Sequence, residues 1–324
     1  MKHVLRNTFA ALAVAASTTV LAQQGPVKII GLMELSGTGA TAGTNFDNGV
    51  KLAVKEINAA GGILGRKVDY QSWDTQTAPQ TAKALAQKAV DEGAYVVMGP
   101  VFSGSIIVSM AETKRAEIPN FTGGEAANIT QQGNPYIFRT SFTQSTAMPK
   151  IARYIKNDVK AKTVSVIWVN NDFGKGGRDA IVKALEAEGI KVAADISTDP
   201  GQVDFSGPVL KAKQSNADAL FVYTNEEESA RALRELKKQG YNKPIVGETT
   251  LTGQKVIELA GDAANGAVAH VGLTVDAPQP GIKAFDEKFQ KEYKYKSDHN
   301  GMKGYTGMYV VKALTERIKK FDAK

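Results

Sequence analysis

The chain has 324 residues, of which 43% are hydrophobic and 23% are charged, and it contains no cysteine. This composition is typical of a globular protein and the length predicts two domains, while the missing cysteines exclude disulfides, thiolate metal sites and cysteine nucleophiles. The net charge is +7, but the basic residues are scattered along predicted helices, which indicates solvated faces and argues against a nucleic-acid partner. Only three histidines are present, which argues against a His-rich metal centre and a Ser-His-Asp triad.

The N-terminus has the pattern of an export signal. Lys2 and Arg6 precede an uncharged run, residues 8–21, which ends beside Ala22. This pattern predicts a signal peptide, residues 1–22, that is cleaved after Ala22, and hence a periplasmic location. The alternative is a membrane anchor, but the run is shorter than the ~20 apolar residues that span a bilayer.

From residue 27 onward, short β-branched runs alternate with helical patterns in two series. In the first series the predicted strands are 27–33, 68–73, 95–98 and 118–121, and the helices are 50–57, 78–91 and 103–116. In the second series the strands are 164–169, 190–196, 219–223, 244–247 and 267–274, and the helices are 177–188, 206–214, 226–239 and 253–260. Such alternation predicts right-handed βαβ crossovers and parallel sheets buried on both faces, and therefore an α/β protein with two doubly wound lobes.

The two lobes need connections, and the sequence offers candidates for them. Residues 138–143 form the first predicted hinge strand, and a second crossing is predicted around 272–277. The last two predicted helices, 282–293 and 301–320, have no strands of their own, so we expect them to return to the first lobe. The predicted lobes are therefore 23–140 with 276–324, and 141–275.

A glycine-rich segment, residues 37–43, follows the first strand and spells GxGxxxG, and Asp74 ends the second strand. This pattern resembles a nucleotide fingerprint and supports an alternative function, an NAD(P)-dependent oxidoreductase. Three observations argue against it. Such an enzyme is not expected to be exported, none of the tyrosines has a lysine four residues later, and the second series has no matching catalytic loop at 171–174.

The carboxyl ends of the predicted strands carry the candidate binding residues. Ligands in open α/β sheets bind beyond these ends, near helix N-termini whose free N–H groups hold anions. The first lobe has hydroxyls and glycines there, at 99–105 and 121–125, whereas the second lobe has an aromatic ring and carboxylates, at 170–174, 224–226 and 247–250. This separation matches the carboxylate and ammonium groups of an α-amino acid. We therefore expect a non-catalytic site for a small amino acid, without a cofactor.

Several blocks of sequence resemble one family. They include Leu35-Ser36-Gly37, residues 56–68 with the run Asn-Ala-Ala-Gly-Gly-Ile-Leu-Gly, Val97-Met98-Gly99-Pro100 and residues 172–176. With these matches the chain resembles the periplasmic leucine/isoleucine/valine-binding protein family. The resemblance implies a type I periplasmic-binding-protein fold, in which two lobes joined by three hinge strands close on an amino acid and present it to an inner-membrane ABC permease. Members of the family carry a further C-terminal segment that makes the third crossover, and this sequence stops before it.

The resemblance also implies roles for first-lobe residues. Ser103, which follows the third strand, matches the serine that binds the ligand carboxylate, and Gly104 and Gly123 would supply backbone groups to the same carboxylate. Glu125 stands where the family has a threonine. Ala42 stands where the family has a tyrosine that packs on aliphatic ligand side chains, so it opens space in the site.

Three second-lobe residues complete the implied site. Phe173 replaces a tyrosine and would pack on the ligand side chain without donating a hydrogen bond. Glu248 matches the acidic residue that pairs with the ligand ammonium, with a loop carboxylate before the helix at 253–260 as the alternative. Asn225 lies near another tyrosine of the family.

Some assignments keep an alternative at this point. Glu125 either adds a second anion to the site or turns outward and serves a short helix at 126–130 as an N-terminal carboxylate. The departures from the family pattern also leave open a receptor or sensor for a small carboxylate or amide on the same fold. Phe102 and Trp73 are expected in the core, and His270 is expected to be a hydrogen-bonded core imidazole.

Overall fold

The computed structural model of the chain describes residues 25–322, and the predicted signal peptide with its cleavage after Ala22 lies outside the described residues. The described part contains two five-stranded sheets in which every pairing is parallel. None of the helices in this part combines the length and apolarity that crossing a bilayer requires. The α/β class and the two doubly wound sheets expected from the sequence are confirmed.

The first sheet has the order β2-β1-β3-β4-β5. Its strands are β1 Val27–Met33, β2 Val68–Asp74, β3 Val96–Met98, β4 Asn120–Thr122 and β5 Ile137–Arg139, and its helices are α1 Ala40–Ala59, α2 Pro79–Asp91 and α3 Ser103–Arg115. Because both faces of the sheet are covered, the middle strand β3 consists of apolar residues only, and all three are buried.

The second sheet has the order β10-β9-β8-β6-β7. Its strands are β6 Thr163–Val169, β7 Lys191–Thr198, β8 Ala219–Tyr223, β9 Ile245–Glu248 and β10 Val268–His270, and its helices are α4 Gln144–Tyr154, α5 Asp172–Ala187, α6 Ser206–Gln214, α7 Glu226–Lys238 and α8 Gln254–Ala260. Strand β8 reads Ala-Leu-Phe-Val-Tyr and is buried along its whole length, as a central strand of a parallel sheet requires.

The last two helices are α9 Pro280–Tyr293 and α10 His299–Ile318. Helix α10 packs closely along α1 because glycines lie at the contact: a Cβ on Gly49 would come within 2.0 Å of the Gly301 carbonyl oxygen, and one on Gly304 within 2.1 Å of the Phe46 carbonyl oxygen. The chain therefore returns to the first sheet after β10. The domain limits given above, 23–140 with 276–324 and 141–275, stay predictions.

The chain crosses between the sheets after β5 and again after β10, and the two crossings contact each other. The rings of Phe142 and His270 meet edge-on with their centroids 5.6 Å apart. A Cβ on Gly272 would lie only 2.1 Å from the Phe142 ring. Strands β5 and β10 are only three residues long, so the predicted hinge strand at 138–143 and the predicted strand at 267–274 are both shorter than expected.

Three helices differ clearly from the sequence-based expectation, and the first is α1, which begins at Ala40 rather than at residue 50. Helix α4 was not predicted, although Met148, Ile151 and Ile155 form a buried stripe at helical spacing. Helix α5 begins at Asp172, five residues before its predicted start, because the Asn171 side chain accepts a hydrogen bond from the Gly174 N–H at 2.8 Å and caps it.

Candidate ligand-binding site

A cavity lies between the carboxyl ends of the two sheets. It contains about 360 Å³ of space not filled by protein atoms, and part of this space is open to solvent. We call one side the first-sheet wall, formed by Ala42, Val101, Phe102, Ser103, Gly123, Gly124 and Glu125 together with His299, Asn300 and Lys303 of α10. The opposite side is the second-sheet wall, formed by Phe173, Asn225, Glu226 and Thr250.

Ser103 begins α3 at the end of the loop that follows β3. Its hydroxyl accepts a hydrogen bond from the Ala126 N–H at 3.3 Å, which ties the loop after β3 to the loop after β4. The loop is held from below by Glu34, whose carboxyl oxygens accept the N–H groups of Val101 and Phe102, each at 3.1 Å. Burial raises the pKa of Glu34 to about 7. The α3 N-terminus is thus fixed in position and presents a hydroxyl and backbone N–H groups to the cavity.

Glu125 and Lys303 form an ion pair on the first-sheet wall, and both side chains are at least 96% buried. Lys303 Nζ lies 2.9 Å from Glu125 Oε1 and also donates to the Gly123 carbonyl at 3.2 Å and to Asn300 Oδ1 at 3.3 Å. The lysine therefore has three acceptors within the protein. Burial raises the pKa of Glu125 to about 7 against the attraction of Lys303, and Glu248 adds to the rise.

These contacts decide between the two expectations for Glu125. Residues 126–130 do not form an α-helix, because only a single 3-10 turn, Ala127–Ile129, follows. The side chain faces the cavity rather than solvent, so the alternative of an outward-facing cap is wrong. Since Lys303 already neutralises Glu125, this carboxyl group is not a free second anion.

Phe173 lies in the first turn of α5 on the second-sheet wall. Its ring stacks on Tyr223 with the ring centroids 4.3 Å apart. Its carbonyl accepts a hydrogen bond from Gln144 Nε2 at 2.7 Å, and the same amide nitrogen donates to the Tyr223 hydroxyl at 3.0 Å. The ring is therefore held rigidly, and one apolar face is available to a ligand side chain.

Asn225 and Glu226 follow β8 and begin α7. The Asn225 amide donates to both carboxyl oxygens of Glu228, at 3.2 and 3.1 Å, and its backbone N–H donates to the same group. Asn225 is thus engaged as the cap of α7, although it lines the cavity. Burial raises the pKa of Glu226 to about 8, and the nearby carboxyl groups of Asp298 and Glu227 add to the rise.

Two residues implied by the resemblance do not lie on the cavity wall. Glu248 is completely buried at the end of β9, where its Oε1 accepts a hydrogen bond from Thr249 Oγ1 at 2.5 Å and lies 3.6 Å from His270 Nδ1. Gly104 lies behind Ser103, where a Cβ would meet Asp172 Oδ2 at 2.8 Å. Glu248 is therefore a neighbour of the site through its effect on Glu125, and Gly104 packs against the start of α5.

Three expectations for side chains outside the implied site can also be compared with the structure. Phe102 was expected in the core, but it lines the cavity and its ring lies against Gly39. Trp73 packs, as expected, against the apolar cluster beneath α2. His270 Nδ1 has no hydrogen-bond partner among residues 25–322, so the expected hydrogen-bonded core imidazole is wrong.

Sequence reasoning missed the contribution of α10. His299, Asn300 and Lys303 all line the cavity and are all at least 96% buried. A signal was present, because the same first turns of α10 carry the glycines that contact α1, which indicates a buried segment, and a buried helix surface normally has apolar side chains. Buried polar side chains are expected to have hydrogen-bond partners. Lys303 has Glu125 as a partner, and His299 and Asn300 face the cavity.

The cavity also contains polar atoms that no protein group satisfies. Glu125 Oε2, Thr250 Oγ1 and His299 Nδ1 are buried without a hydrogen-bond partner among the described residues. Burial, together with Lys303, holds the pKa of His299 well below its usual range, so this imidazole is neutral. Unsatisfied buried groups cost roughly 1–3 kcal/mol each, so this lining favours a polar ligand over an apolar one.

The glycine-rich segment at 37–43 has a packing role in the structure. Gly37–Gly39 form a 3-10 turn that leads into α1. A Cβ on Gly43 would lie 2.1 Å from the Glu34 carbonyl oxygen, so the glycine lets α1 approach the end of β1. The GxGxxxG spacing is explained by this close approach of helix to strand.

Comparison with protein families and with characterised proteins gives concordant results. A family model described as periplasmic binding protein matches residues 26–324. The leucine-, isoleucine-, valine-, threonine- and alanine-binding protein of Pseudomonas aeruginosa is 26% identical over 97% of this chain and 82% of its own length. The Leu/Ile/Val-binding protein of Escherichia coli is 28% identical over 86% of this chain and 77% of its own length.

Solved structures show the same fold. The branched-chain amino acid transporter substrate-binding protein of Streptococcus pneumoniae, solved with isoleucine, superposes with a TM-score of 0.85 at 24% identity, covering 92% of this chain and 86% of that protein. A solute-binding protein of an ABC transporter from R. palustris, solved with benzoate, superposes with a TM-score of 0.86 at 22% identity, covering 92% and 82%. Amino acids and aromatic carboxylates are thus both found in proteins of this shape.

Proposed function

This chain belongs to the periplasmic binding protein family, and from that premise we propose that it is an exported receptor for a small amino acid of branched-chain or related type. In this proposal the signal peptide is removed after Ala22, and the ligand is captured in the cavity between the two sheets. The loaded receptor then delivers it to an ABC permease of the inner membrane.

The observation that carries the proposal is the separation of donors and acceptors across the cavity. The α3 N-terminus and Ser103 offer hydrogen-bond donors on the first-sheet wall, and the second-sheet wall offers the Glu226 carboxyl group. A carboxylate is stabilised at a helix N-terminus, and an ammonium group is stabilised by a carboxylate. An α-amino acid carries both groups and can satisfy both walls at once.

The lining between the walls agrees with a ligand that has a small apolar side chain. Ala42, Val101 and Phe102 approach from one side, and Phe173 approaches from the other. We expect the ligand side chain to lie between the two phenylalanine rings, where it is removed from water. The names of the Pseudomonas aeruginosa and Escherichia coli relatives support this choice of ligand class.

The mechanism is capture by closure, without chemical change to the ligand. The two predicted lobes, 23–140 with 276–324 and 141–275, are the parts that rotate, and the crossings after β5 and β10 absorb the rotation. Closure removes water from the ionic contacts and strengthens them, since a hydrogen bond to a charged group contributes about 1.5–3 kcal/mol net. The permease then recognises the closed form.

A second candidate is a receptor for a carboxylate without nitrogen, on the same fold. The structural neighbour solved with benzoate supports it, and so do the aromatic rings of Phe102 and Phe173 on the two walls. Such a ligand would satisfy the α3 N-terminus. It would leave the Glu226 carboxyl group buried without a cation, which is why we prefer an amino acid.

A thermal-shift screen of the mature protein, residues 23–324, tests the proposal. The screen pairs each amino acid with the acid that lacks its amino group, for example L-leucine with 4-methylpentanoate, and adds benzoate. A ligand at a hundred times its dissociation constant stabilises the native state by about 2.7 kcal/mol, which raises the melting temperature measurably. Larger shifts with amino acids than with their nitrogen-free partners support the proposal. Shifts with benzoate or the nitrogen-free acids alone would overturn it.

A further inference from the structure

We propose that Glu226, and not the Glu248 to which the family resemblance points, receives the cationic nitrogen of the ligand. The proposal rests on the proposed function, because it assumes a ligand with an amino group. It goes beyond it by assigning specificity for that group to a single side chain after β8, on a different strand from the one that the resemblance implies.

Glu226 is the first residue of α7 and lies on the second-sheet wall. Its side chain lines the cavity and is 96% buried. Its one side-chain hydrogen-bond partner among residues 25–322 is Asn300 Nδ2, at the long distance of 3.5 Å. No lysine, arginine or histidine of the described part lies within ion-pair distance of it. Glu226 is thus a buried carboxyl group whose cation is missing from the protein.

The cation whose charge acts on Glu226 is Lys303 of α10. Its ammonium group already contacts Glu125, the Gly123 carbonyl and Asn300 Oδ1. An ammonium group has three donors, so these contacts use its full capacity. Lys303 therefore serves the first-sheet wall, and an additional cation in the cavity would have Glu226 as its partner.

Glu248, to which the resemblance points, is the last residue of β9. This side chain is completely buried and does not line the cavity. It accepts the Thr249 hydroxyl, it lies 3.6 Å from His270 Nδ1, and it interacts with the Glu125 carboxyl group. Its other carboxyl oxygen, Oε2, is buried without a hydrogen-bond partner among the described residues, but a ligand would have to pass the cavity lining to reach it.

The charged groups around Glu226 agree with this assignment. Asp298 and Lys303 approach from α10, Glu227 lies next to Glu226 on α7, and His299 is neutral. The carboxyl groups of Asp298 and Glu227 lie near Glu226, so a negative charge on Glu226 is costly in the empty site. A bound ammonium group offsets that cost, which is the electrostatic preference that a cation-selective subsite needs.

Isothermal titration calorimetry on residues 23–324 tests the inference, with L-leucine and 4-methylpentanoate as probes. We compare the wild type with Glu226→Gln, Glu248→Gln and a matched control on the same helix, Glu235→Gln, which lies outside the cavity lining. We expect Glu226→Gln to weaken L-leucine binding by about 10- to 100-fold and to leave 4-methylpentanoate binding unchanged or stronger. Glu235→Gln is expected to behave as the wild type.

The outcomes separate the inference from the proposed function. If the wild type binds no amino acid of the thermal-shift screen, the proposed function fails, and the inference fails with it. If the wild type binds L-leucine, and Glu248→Gln loses that binding while Glu226→Gln keeps it, only the inference is overturned. Retained 4-methylpentanoate binding shows that Glu226→Gln is folded. If it does not fold, Glu226→Asp replaces it, with a smaller loss of L-leucine affinity expected and an unchanged affinity contradicting us.

Discussion

The two walls of the cavity differ in how their carboxyl groups are neutralised. On the first-sheet wall, Glu125 has Lys303 at 2.9 Å, and the lysine is further held by Gly123 and Asn300. On the second-sheet wall, Glu226 has no cation in ion-pair contact within the described part of the chain. The carboxyl group of Glu125 on the first-sheet wall therefore has a cation of the protein as its partner, whereas the carboxyl group of Glu226 on the second-sheet wall does not.

In the proposed function, this difference combines a rigid first-sheet wall with a second-sheet wall that requires a ligand cation. The internal ion pair fixes Gly123 and the loop after β4, so the groups that face the ligand carboxylate keep their positions. The unpaired carboxyl group makes the empty site less stable than the filled one. The stability that is lost at Glu226 in the empty protein becomes affinity when an ammonium group arrives.

The largest effect is expected from breaking the ion pair on the first-sheet wall. Lys303→Met leaves Glu125 buried without its cation, and we expect a loss of about 3–5 kcal/mol in the free energy of unfolding. Urea-induced unfolding followed by circular dichroism measures the loss. The double variant Lys303→Met with Glu125→Gln removes both charges and should recover a large part of it. An unchanged urea midpoint for the single variant would contradict the structural role of the pair.

The next effect is opposite in sign and concerns the second-sheet wall. Glu226→Gln removes the unpaired carboxyl group, so we expect the empty protein to gain about 1–3 kcal/mol of stability at pH 8 while it loses affinity for an amino acid. Glu235→Gln on the same helix serves as the control, and because it weakens only a surface ion pair with Lys238, it should lower stability by less than about 1 kcal/mol.

This gain in stability should depend on pH in a defined direction. The pKa of Glu226 is raised from 4.5 to about 8 in the folded protein. Between these values the folded state holds a proton that the unfolded state has released, so wild-type stability falls as the pH rises through this window. Glutamine does not titrate, so the advantage of Glu226→Gln should be smallest near pH 4.5 and largest near pH 8. A constant difference across melting curves at several pH values would mean that the pKa of Glu226 is not raised.

A smaller effect is expected at the α3 N-terminus. Ser103→Ala removes a neutral hydroxyl from the first-sheet wall, at a cost of about 0.5–1.5 kcal/mol in binding, or up to roughly tenfold in affinity. Because both ligands carry a carboxylate, L-leucine and 4-methylpentanoate should lose affinity by the same factor in calorimetry. Ser206→Ala, at the exposed first position of α6, is the matched control. A loss confined to L-leucine would move the carboxylate subsite away from Ser103.

The smallest effect concerns a hydrogen bond that joins the two walls at the rim. Thr41 Oγ1 of α1 donates to Glu227 Oε1 of α7. Thr41→Val keeps the shape of the side chain and removes this bond, so we expect ligand affinity to fall by about two- to fivefold, mainly through faster dissociation. Stopped-flow measurement of the dissociation rate tests it, and an unchanged rate would show that this contact does not hold the walls together.

The fold was largely predictable because its pattern is local. Alternating apolar strands and amphipathic helices identified both sheets, and β8 and α6 were predicted with their observed limits. Helix α4 was missed because it directly follows the predicted hinge strand at 138–143 and contains Pro149, so no element was assigned to this segment. Strand β10 was predicted too long because the apolar residues after His270 belong to the crossing between the sheets.

The site was only partly predictable, for a physical reason. Ser103, Gly123 and Phe173 lie directly after strands, so the topology alone predicts that they face the cleft. Lys303 comes from a helix about 180 residues further along the chain than Glu125, and no local pattern connects the two. The role of Glu248 was inferred from the resemblance. Glu226 lines the cavity and Glu248 does not, and this difference appears only in the three-dimensional structure.

The contact between the two crossings has a further consequence. Since Phe142 packs directly on Gly272, any side chain at position 272 would push the crossings apart without itself lining the cavity. The equilibrium between open and shut forms would shift, and the apparent affinity would change by the same factor for every compound the receptor accepts. Substitution of Gly272 would therefore change the affinity for all ligands without changing which ligands the protein binds.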